Sequence, residues 1–187
     1  MTIFLLGIAV LAVVSGIVIF HLIPAVEAYV AYGGKRLVTC PENKQKAAVE
    51  VAAARAAASL IWGEPKLRLN HCSRWPERQG CGQDCLQQIE AHPENCLLLN
   101  IVSSWYEGRK CFFCHKPFAR WRHLDHAPAL MGPDHITAEW KQFRPEQIID
   151  VLSTSEPVCW NCHIAETFRR THPELVVERN RPVHHLL

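Results

Sequence analysis

Two pairs of cysteines in the C-terminal half of the chain have a spacing that suits thiol chemistry. The two segments are Cys111-Phe-Phe-Cys114-His115 and Cys159-Trp-Asn-Cys162-His163. Interpreted as two C-x-x-C pairs, they supply four thiolates, which is a complete tetrahedral set for one metal ion. Interpreted as two C-x-x-C-H motifs, each pair would attach one c-type haem. These interpretations are chemically incompatible, so other features of the chain must decide between them.

The first pair resembles a zinc knuckle, in which a C-x-x-C turn is followed by a small residue and a Lys-Pro exit. The residues that carry the resemblance are Cys111-Phe-Phe-Cys114-His-Lys-Pro-Phe118. The chain has His115 where a knuckle often has glycine, which adopts positive φ freely. With Cys159 and Cys162 as the second knuckle, the resemblance implies a structural zinc centre of the zinc-ribbon or treble-clef kind, because four soft thiolates suit Zn²⁺ and leave no open position. Iron or an iron–sulfur cluster is the less favoured occupant of the same four sulfurs.

The histidine after each pair carries a rival resemblance, to membrane-anchored dihaem c-type cytochromes that transfer electrons. This resemblance implies thioether bonds from the four cysteines, with His115 and His163 as proximal haem ligands. Candidates for the distal ligands are His123, His126, His135 and His172. Haem attachment belongs outside the bacterial cytoplasm, and a small cytochrome has no need of the five other cysteines. These two points favour a bare metal ion over two haems.

A second set of cysteines precedes the paired motifs. Its members are Cys40, Cys72, Cys81 and Cys85. Cys40 is predicted at a hairpin turn, and the C-x-x-x-C spacing of Cys81 and Cys85 lies on a turn that enters a helix, so the four could converge on one ion. Cys96 could replace one of them. The alternatives are buried reduced cysteines or, outside the cytoplasm, disulfides.

The N-terminal segment is long and apolar enough to cross a membrane. Residues 3–20 are uncharged and mostly aliphatic, and Glu27 is the first charged side chain. We therefore predict a transmembrane helix at residues 1–23. A secretory signal peptide would begin with basic residues and end at a small-residue cleavage site. Because the chain has neither feature, the sequence favours a permanent anchor.

The basic residues that follow this segment predict its orientation. Lys35, Arg36, Lys44 and Lys46 lie after the apolar run, and none precedes it. The positive-inside rule then places the N-terminus outside and the C-terminal domain in the cytoplasm, with a periplasmic domain as the alternative. A reducing cytoplasm favours thiolate ligands over disulfides.

The rest of the chain predicts a small α+β fold that is rich in cysteine and stabilised by metal. A juxtamembrane linker is expected at residues 24–36, because Pro24 and the Gly33-Gly34 pair disfavour regular structure. A first module at residues 37–100 contains a hairpin, an alanine-rich helix, a strand at 66–69 and the cysteine turn. A second module at residues 101–187 contains both C-x-x-C pairs, a loop-rich segment between them and a polar tail with His184-His185.

Composition gives no indication of a nucleic-acid partner, and the sequence gives little support to catalysis. The formal net charge of only +2 does not indicate a nucleic-acid-binding surface. Neither Cys96 beside a histidine nor the segment His123-Leu-Asp125-His126 has the context of an active site. The sequence therefore predicts a membrane-anchored metal-binding module, more an accessory or interaction protein than an enzyme. Its expected partners are the lipid bilayer and another membrane or membrane-associated protein.

Overall fold

The structure, a computed structural model, combines helices and short antiparallel sheets, as the α+β prediction requires. It describes residues 2–60, 63–78, 80–118 and 126–176. The chain divides into two compact units, residues 1–102 and 103–187, and each is described by itself. The sequence predicts a module boundary after residue 100, and the division falls after Val102.

The first unit opens with helix α1, Thr2–Tyr32. The segment Phe4–Tyr32 is long and apolar enough to span a membrane, a test that a signal sequence near the N-terminus passes equally well. The helix continues through Pro24, so residues 24–32 are helical and differ from the predicted linker. Pro24 removes one helical hydrogen bond, but the helix persists and ends where the Gly33 N–H donates to the Tyr29 carbonyl at 3.0 Å.

A three-stranded antiparallel sheet forms the centre of unit 1. Its strands are β1 (Lys35–Thr39), β2 (Lys46–Val51) and β3 (Leu69–Cys72), in the order β1-β2-β3. Thr39 pairs with Lys46 across the hairpin, and Val49 pairs with Cys72. The predicted strand at 66–69 is therefore displaced toward Cys72, because pairing with β2 selects its register.

The helices of unit 1 cover this sheet and the end of α1. They are α2 (Ala53–Leu60), which packs on α1, and α3 (Leu86–Ala91). Val38, Val49 and Ile89 are almost completely buried in a core that also contains Cys40, Cys72 and Cys85. The short apolar elements thus bring distant cysteines into one interior.

Arg36 fastens the end of α1 to the rest of unit 1. Its side chain is completely buried, and its guanidinium donates hydrogen bonds to the carbonyls of Ala31, Gly33 and Pro93. A helix C-terminus offers free carbonyls that can satisfy a buried cation. Both terminal nitrogens of Arg36 are paired in this way, while its Nε has no hydrogen-bond partner among the described residues. Arg36 therefore has a structural role beyond any contribution to membrane orientation.

The second unit is built on a smaller antiparallel sheet. Strands β4 (Ala129–Met131), β5 (Thr137–Glu139) and β6 (Glu156–Val158) lie in the order β5-β4-β6. Helix α4 (Leu98–Tyr106) crosses the division between the units, while α5 (Ile148–Thr154) and α6 (Trp160–Thr171) belong to unit 2. Strands of three residues are too short to show a periodic pattern in the sequence. This is why the segment that contains β4 and β5 is predicted from sequence as loop-rich.

Candidate metal centre

The four cysteines of the paired motifs meet at one point in unit 2. The sulfurs of Cys111, Cys114, Cys159 and Cys162 all lie within 4.8 Å of one another. The Cys114 and Cys159 sulfurs are 3.7 Å apart. A tetrahedral ion with metal–sulfur bonds of about 2.3 Å separates its ligands by about 3.8 Å, whereas a disulfide requires about 2.05 Å. The sulfurs therefore have the spacing of metal ligands, and all four cysteines are free thiols.

The first half of the cluster is a tight loop, residues 111–116, which we call the Cys111 loop. The Cys111 N–H donates to the Lys116 carbonyl at 3.0 Å, and the His115 N–H donates to the Cys111 carbonyl at 2.9 Å. His115 takes a φ of +56°, so the conformation that glycine usually supplies is formed by histidine. The first pair of cysteines therefore lies on one tight turn.

The second half lies where β6 leads into α6. Cys159 precedes the helix and Cys162 occupies its first turn. The Phe112 N–H donates to the Pro157 carbonyl at 2.9 Å, and the Cys159 N–H donates to the Cys111 sulfur at 3.3 Å. These contacts hold the two halves in register.

Electrostatics in the cluster distinguish one thiol from its neighbours. Burial would raise the pKa of Cys111, but hydrogen bonds from the N–H groups of Cys114, Cys159 and Phe113 lower it to about 7. Burial raises the pKa of Cys162, and the three nearby sulfurs raise it further. One thiolate is therefore favoured, whereas four thiolates so close together require a positive charge between them.

The histidines after the two pairs have other contacts. His163 is buried, and its Nδ1 lies 2.8 Å from the Thr137 hydroxyl. Burial lowers the pKa of His163. His115 is exposed on the Cys111 loop, where its backbone makes the turn. The structure therefore accounts for both residues by packing and by turn geometry.

The candidate distal ligands are dispersed. His126 stacks on Trp160 with ring centroids 5.0 Å apart, His135 lies in a turn with φ +58°, and His172 caps the end of α6. All three are exposed. The remaining distal candidate, His123, lies outside the described residues with its neighbour Asp125, and so does the pair His184-His185 of the tail.

The earlier cysteines also come together, but more loosely. Cys40, Cys72, Cys81 and Cys85 line one cavity of about 30 Å³ in unit 1. Within the described residues, the sulfurs of these four cysteines do not lie at metal-site distances from one another. Cys96 lies outside this lining, and its thiol points at the Gln88 carbonyl 3.6 Å away.

Polar side chains that the sequence does not single out organise the cysteines of unit 1. The Arg74 guanidinium lies 2.8 Å from the Cys40 sulfur. The side chains of Gln83 and Gln88 bond to backbone groups of Leu69 and Thr39. Arginine and glutamine are normally solvated surface residues, so nothing in the sequence marks these three as interior contacts.

The class of site is therefore a four-thiol cluster with the dimensions of a closed metal centre. Comparison of the chain with protein-family models, with curated proteins and with solved structures found no significant match. The metal-site geometry and the apolar helix are the features from which a function can be argued.

Proposed function

We propose that the chain is a membrane-anchored accessory protein in which unit 2 binds one Zn²⁺ ion. The observation that carries this proposal is the convergence of four cysteine sulfurs within 4.8 Å. Four thiolates fill every position around a tetrahedral ion, so no site remains for substrate or water. The ion is structural: it fixes the loops that carry its ligands and does not itself react.

The spacing of the sulfurs favours a single ion over the other cofactors considered. Two haems, each bonded to its own C-x-x-C pair, would force the pairs apart, and His163 would have to leave Thr137 to become a ligand. An iron–sulfur cluster would place several irons and sulfides between the thiolates and separate them further. Mononuclear iron fits the same distances as zinc, and its visible absorption distinguishes it from zinc.

The end of α1 supports an anchor over a cleaved signal sequence. Ala28 is buried and Tyr32 packs against the core of unit 1. Arg36 uses the Ala31 carbonyl as one of its acceptors. Cleavage after Ala31 would remove the Ala31 carbonyl and leave a buried guanidinium short of one acceptor, which is costly. The helix is therefore proposed to remain attached and to hold unit 1 at the bilayer.

The surface that the metal would stabilise suits contact with another protein. Phe112 and Phe113 occupy the two positions between the first pair of ligands and remain 44% and 36% exposed. Their rings pack edge to face with centroids 5.2 Å apart. Exposed aromatic side chains on a rigid loop are favourable contacts for a protein partner. We propose a membrane or membrane-associated protein as that partner.

Metal and haem analysis of the purified full-length chain tests the proposal. We expect zinc bound through Cys114 and Cys162, so C114S/C162S should lose one zinc ion per chain while the matched variant C96S loses none. A pyridine-haemochrome spectrum should show no covalent haem. Equal zinc content in C114S/C162S and wild type, or a haemochrome signal, would contradict the proposal.

The cytoplasmic orientation of the domain is a separate proposal that rests on Lys35, Lys44 and Lys46 following the helix. A membrane-impermeant thiol reagent applied to intact cells should leave the exposed Cys114 unmodified, and modification should begin only after lysis. The comparison is made on C159S/C162S, because a bound ion would protect the thiol and this variant lacks two of the four ligands. Modification in intact cells would place the domain on the periplasmic side.

A further inference from the structure

The turn of the β1–β2 hairpin has the same backbone hydrogen bonds as the Cys111 loop. In this segment, residues 40–45, which we call the Cys40 loop, the Cys40 N–H donates to the Gln45 carbonyl at 2.8 Å. The Lys44 N–H donates to the Cys40 carbonyl at 2.9 Å, and Lys44 has a φ of +61°. Each bond and each special φ falls at the same offset from the cysteine as in the Cys111 loop. The two loops are thus equivalent in backbone conformation.

The sulfur of Cys40 is also treated like the sulfur of Cys111. The Cys40 sulfur accepts a hydrogen bond from the Arg74 guanidinium at 2.8 Å. The Cys111 sulfur accepts one from the Cys159 N–H at 3.3 Å. N–H groups aimed at sulfur stabilise a thiolate, the form that binds metal. The Cys40 loop therefore has the backbone of a metal knuckle with a single cysteine.

The position of the second knuckle cysteine is occupied by Asn43, which is turned away from ligation. Its side chain accepts the Gln45 N–H at 3.1 Å and donates to the Gln45 side chain at 2.8 Å. The other ligands must therefore come from elsewhere in unit 1. Cys72, Cys81 and Cys85 line the same cavity as Cys40, and its volume of about 30 Å³ exceeds the roughly 10–15 Å³ that a water-sized sphere needs.

Two glutamine side chains hold these ligands around the cavity. The Gln88 amide bonds to both backbone groups of Thr39, at 3.0 and 2.6 Å, and so fixes α3 beside the Cys40 loop. The Gln83 side chain accepts the Leu69 N–H at 2.9 Å, and the backbone N–H of Gln83 donates to the Cys81 sulfur at 3.3 Å. The segment that carries Cys81 and Cys85 is therefore fixed to Leu69 by the Gln83 side chain and, through the start of α3, to Thr39 by the Gln88 side chain.

We propose that Cys40, Cys72, Cys81 and Cys85 form a second thiolate site, which binds a soft divalent ion such as Zn²⁺ independently of the centre in unit 2. Binding draws the four sulfurs together into the cavity. The Arg74 guanidinium, 2.8 Å from the Cys40 sulfur, supplies a positive charge next to a site whose four thiolates outweigh the charge of a divalent ion. Cys96 takes no part.

The test counts thiolate-bound ions in the full-length chain, purified in detergent under reducing conditions and loaded with Co²⁺ alone. Thiolate-to-cobalt absorption is read per chain after unbound metal is removed. Wild type should bind two ions and C96S should also bind two. Each double variant, C72S/C85S and C114S/C162S, should bind one, a two-fold loss of signal.

The two variants separate the two proposals. C114S/C162S leaves unit 1 unaltered, so its one remaining ion reports the second site even if C72S/C85S fails to fold. No thiolate-bound cobalt in C114S/C162S, or wild-type absorption in C72S/C85S, would overturn the second site. Full absorption in C114S/C162S would instead overturn the centre in unit 2. Thiols of unit 1 that alkylate only after reduction would assign these cysteines to disulfides and also overturn the second site.

Discussion

The Cys40 loop and the Cys111 loop have one backbone conformation but recruit their remaining ligands differently. In unit 2 the partner is another C-x-x-C pair, held by backbone contacts such as the bond from Phe112 to Pro157. In unit 1 the remaining thiols come from two separate segments, held by the side chains of Gln83 and Gln88. In each paired motif the local turn places two ligands side by side, whereas dispersed cysteines depend on the surrounding fold.

This difference indicates which unit depends more on a bound ion for its folding. Each unit has cysteines in a buried cluster. The cluster of unit 2 contains Cys111 with Ala129, Met131 and Val158. The cluster of unit 1 contains its cysteines with a larger apolar set: Val38, Ala47, Val49, Val51, Leu69 and Ile89. Unit 1 therefore has more apolar packing around its cysteines that remains when an ion is removed.

Complete metal removal should have the largest effect and should strike the two units unequally. A bound structural zinc contributes on the order of 10 kcal/mol to the folding of small thiolate domains, so a chelator should unfold the region around β6 and the start of α6. The hairpin of β1 and β2 should keep most of its protection. Amide hydrogen exchange with and without chelator measures both regions, and equal loss of protection in the two would refute the contrast.

Partial metal removal should distinguish the sites by order. Because each loop of unit 2 carries two ligands while those of unit 1 come from three separate segments, unit 1 should release its ion first as chelator is added. Native mass spectrometry of wild type beside C72S/C85S and C114S/C162S assigns each loss to a site. If the ion of unit 2 left first, the pairing of ligands on one loop would not be what sets affinity here.

Removal of the side-chain positioning in unit 1 should have a moderate and local effect. Gln88→Ala deletes two hydrogen bonds to Thr39, and buried groups left unpaired cost about 1–3 kcal/mol. The free energy of unfolding of unit 1 and its cobalt affinity should both fall, while unit 2 keeps its ion. The exposed neighbour provides the matched control, Gln87→Ala, which should change neither quantity. Unchanged stability and cobalt affinity of unit 1 in Gln88→Ala would show that the hydrogen bonds from Gln88 to Thr39 are dispensable.

The smallest effects should come from the equivalent positive-φ positions. Lys44 and His115 lie in the left-handed region, which costs a residue with Cβ about 1–2 kcal/mol. Replacement by glycine removes this cost, but the greater conformational entropy of glycine in the unfolded chain offsets part of the stabilisation. Lys44→Gly and His115→Gly should therefore each stabilise the metal-loaded protein by about 0.5–1 kcal/mol in denaturant titrations. Opposite signs for the two would show that the loops are not equivalent.

Much of the candidate site in unit 2 is predictable from sequence because its ligands come in pairs. The spacing of Cys111 and Cys114 already requires a turn, and the second pair completes a ligand set. The hairpin that presents Cys40 follows from turn residues between two apolar runs. Local chemistry therefore predicts these two loops well.

The rest depends on tertiary contacts that local patterns do not encode. The extension of α1 past Pro24 is stabilised by packing on α2 and by the buried Arg36. The register that brings Cys72 into unit 1 is selected by pairing with Val49. The interior roles of Gln83 and Gln88 likewise depend on neighbours distant in sequence.

The centre in unit 2 is proposed to bind one ion through sulfur alone, with Cys111, Cys114, Cys159 and Cys162 as its ligands. The most direct measurement is zinc-edge X-ray absorption on C72S/C85S, which retains only this centre. We predict four sulfur neighbours at about 2.3 Å and no nitrogen or oxygen ligand. A shell containing nitrogen or oxygen, or a purified protein that carries covalent haem in place of zinc, would contradict the claim.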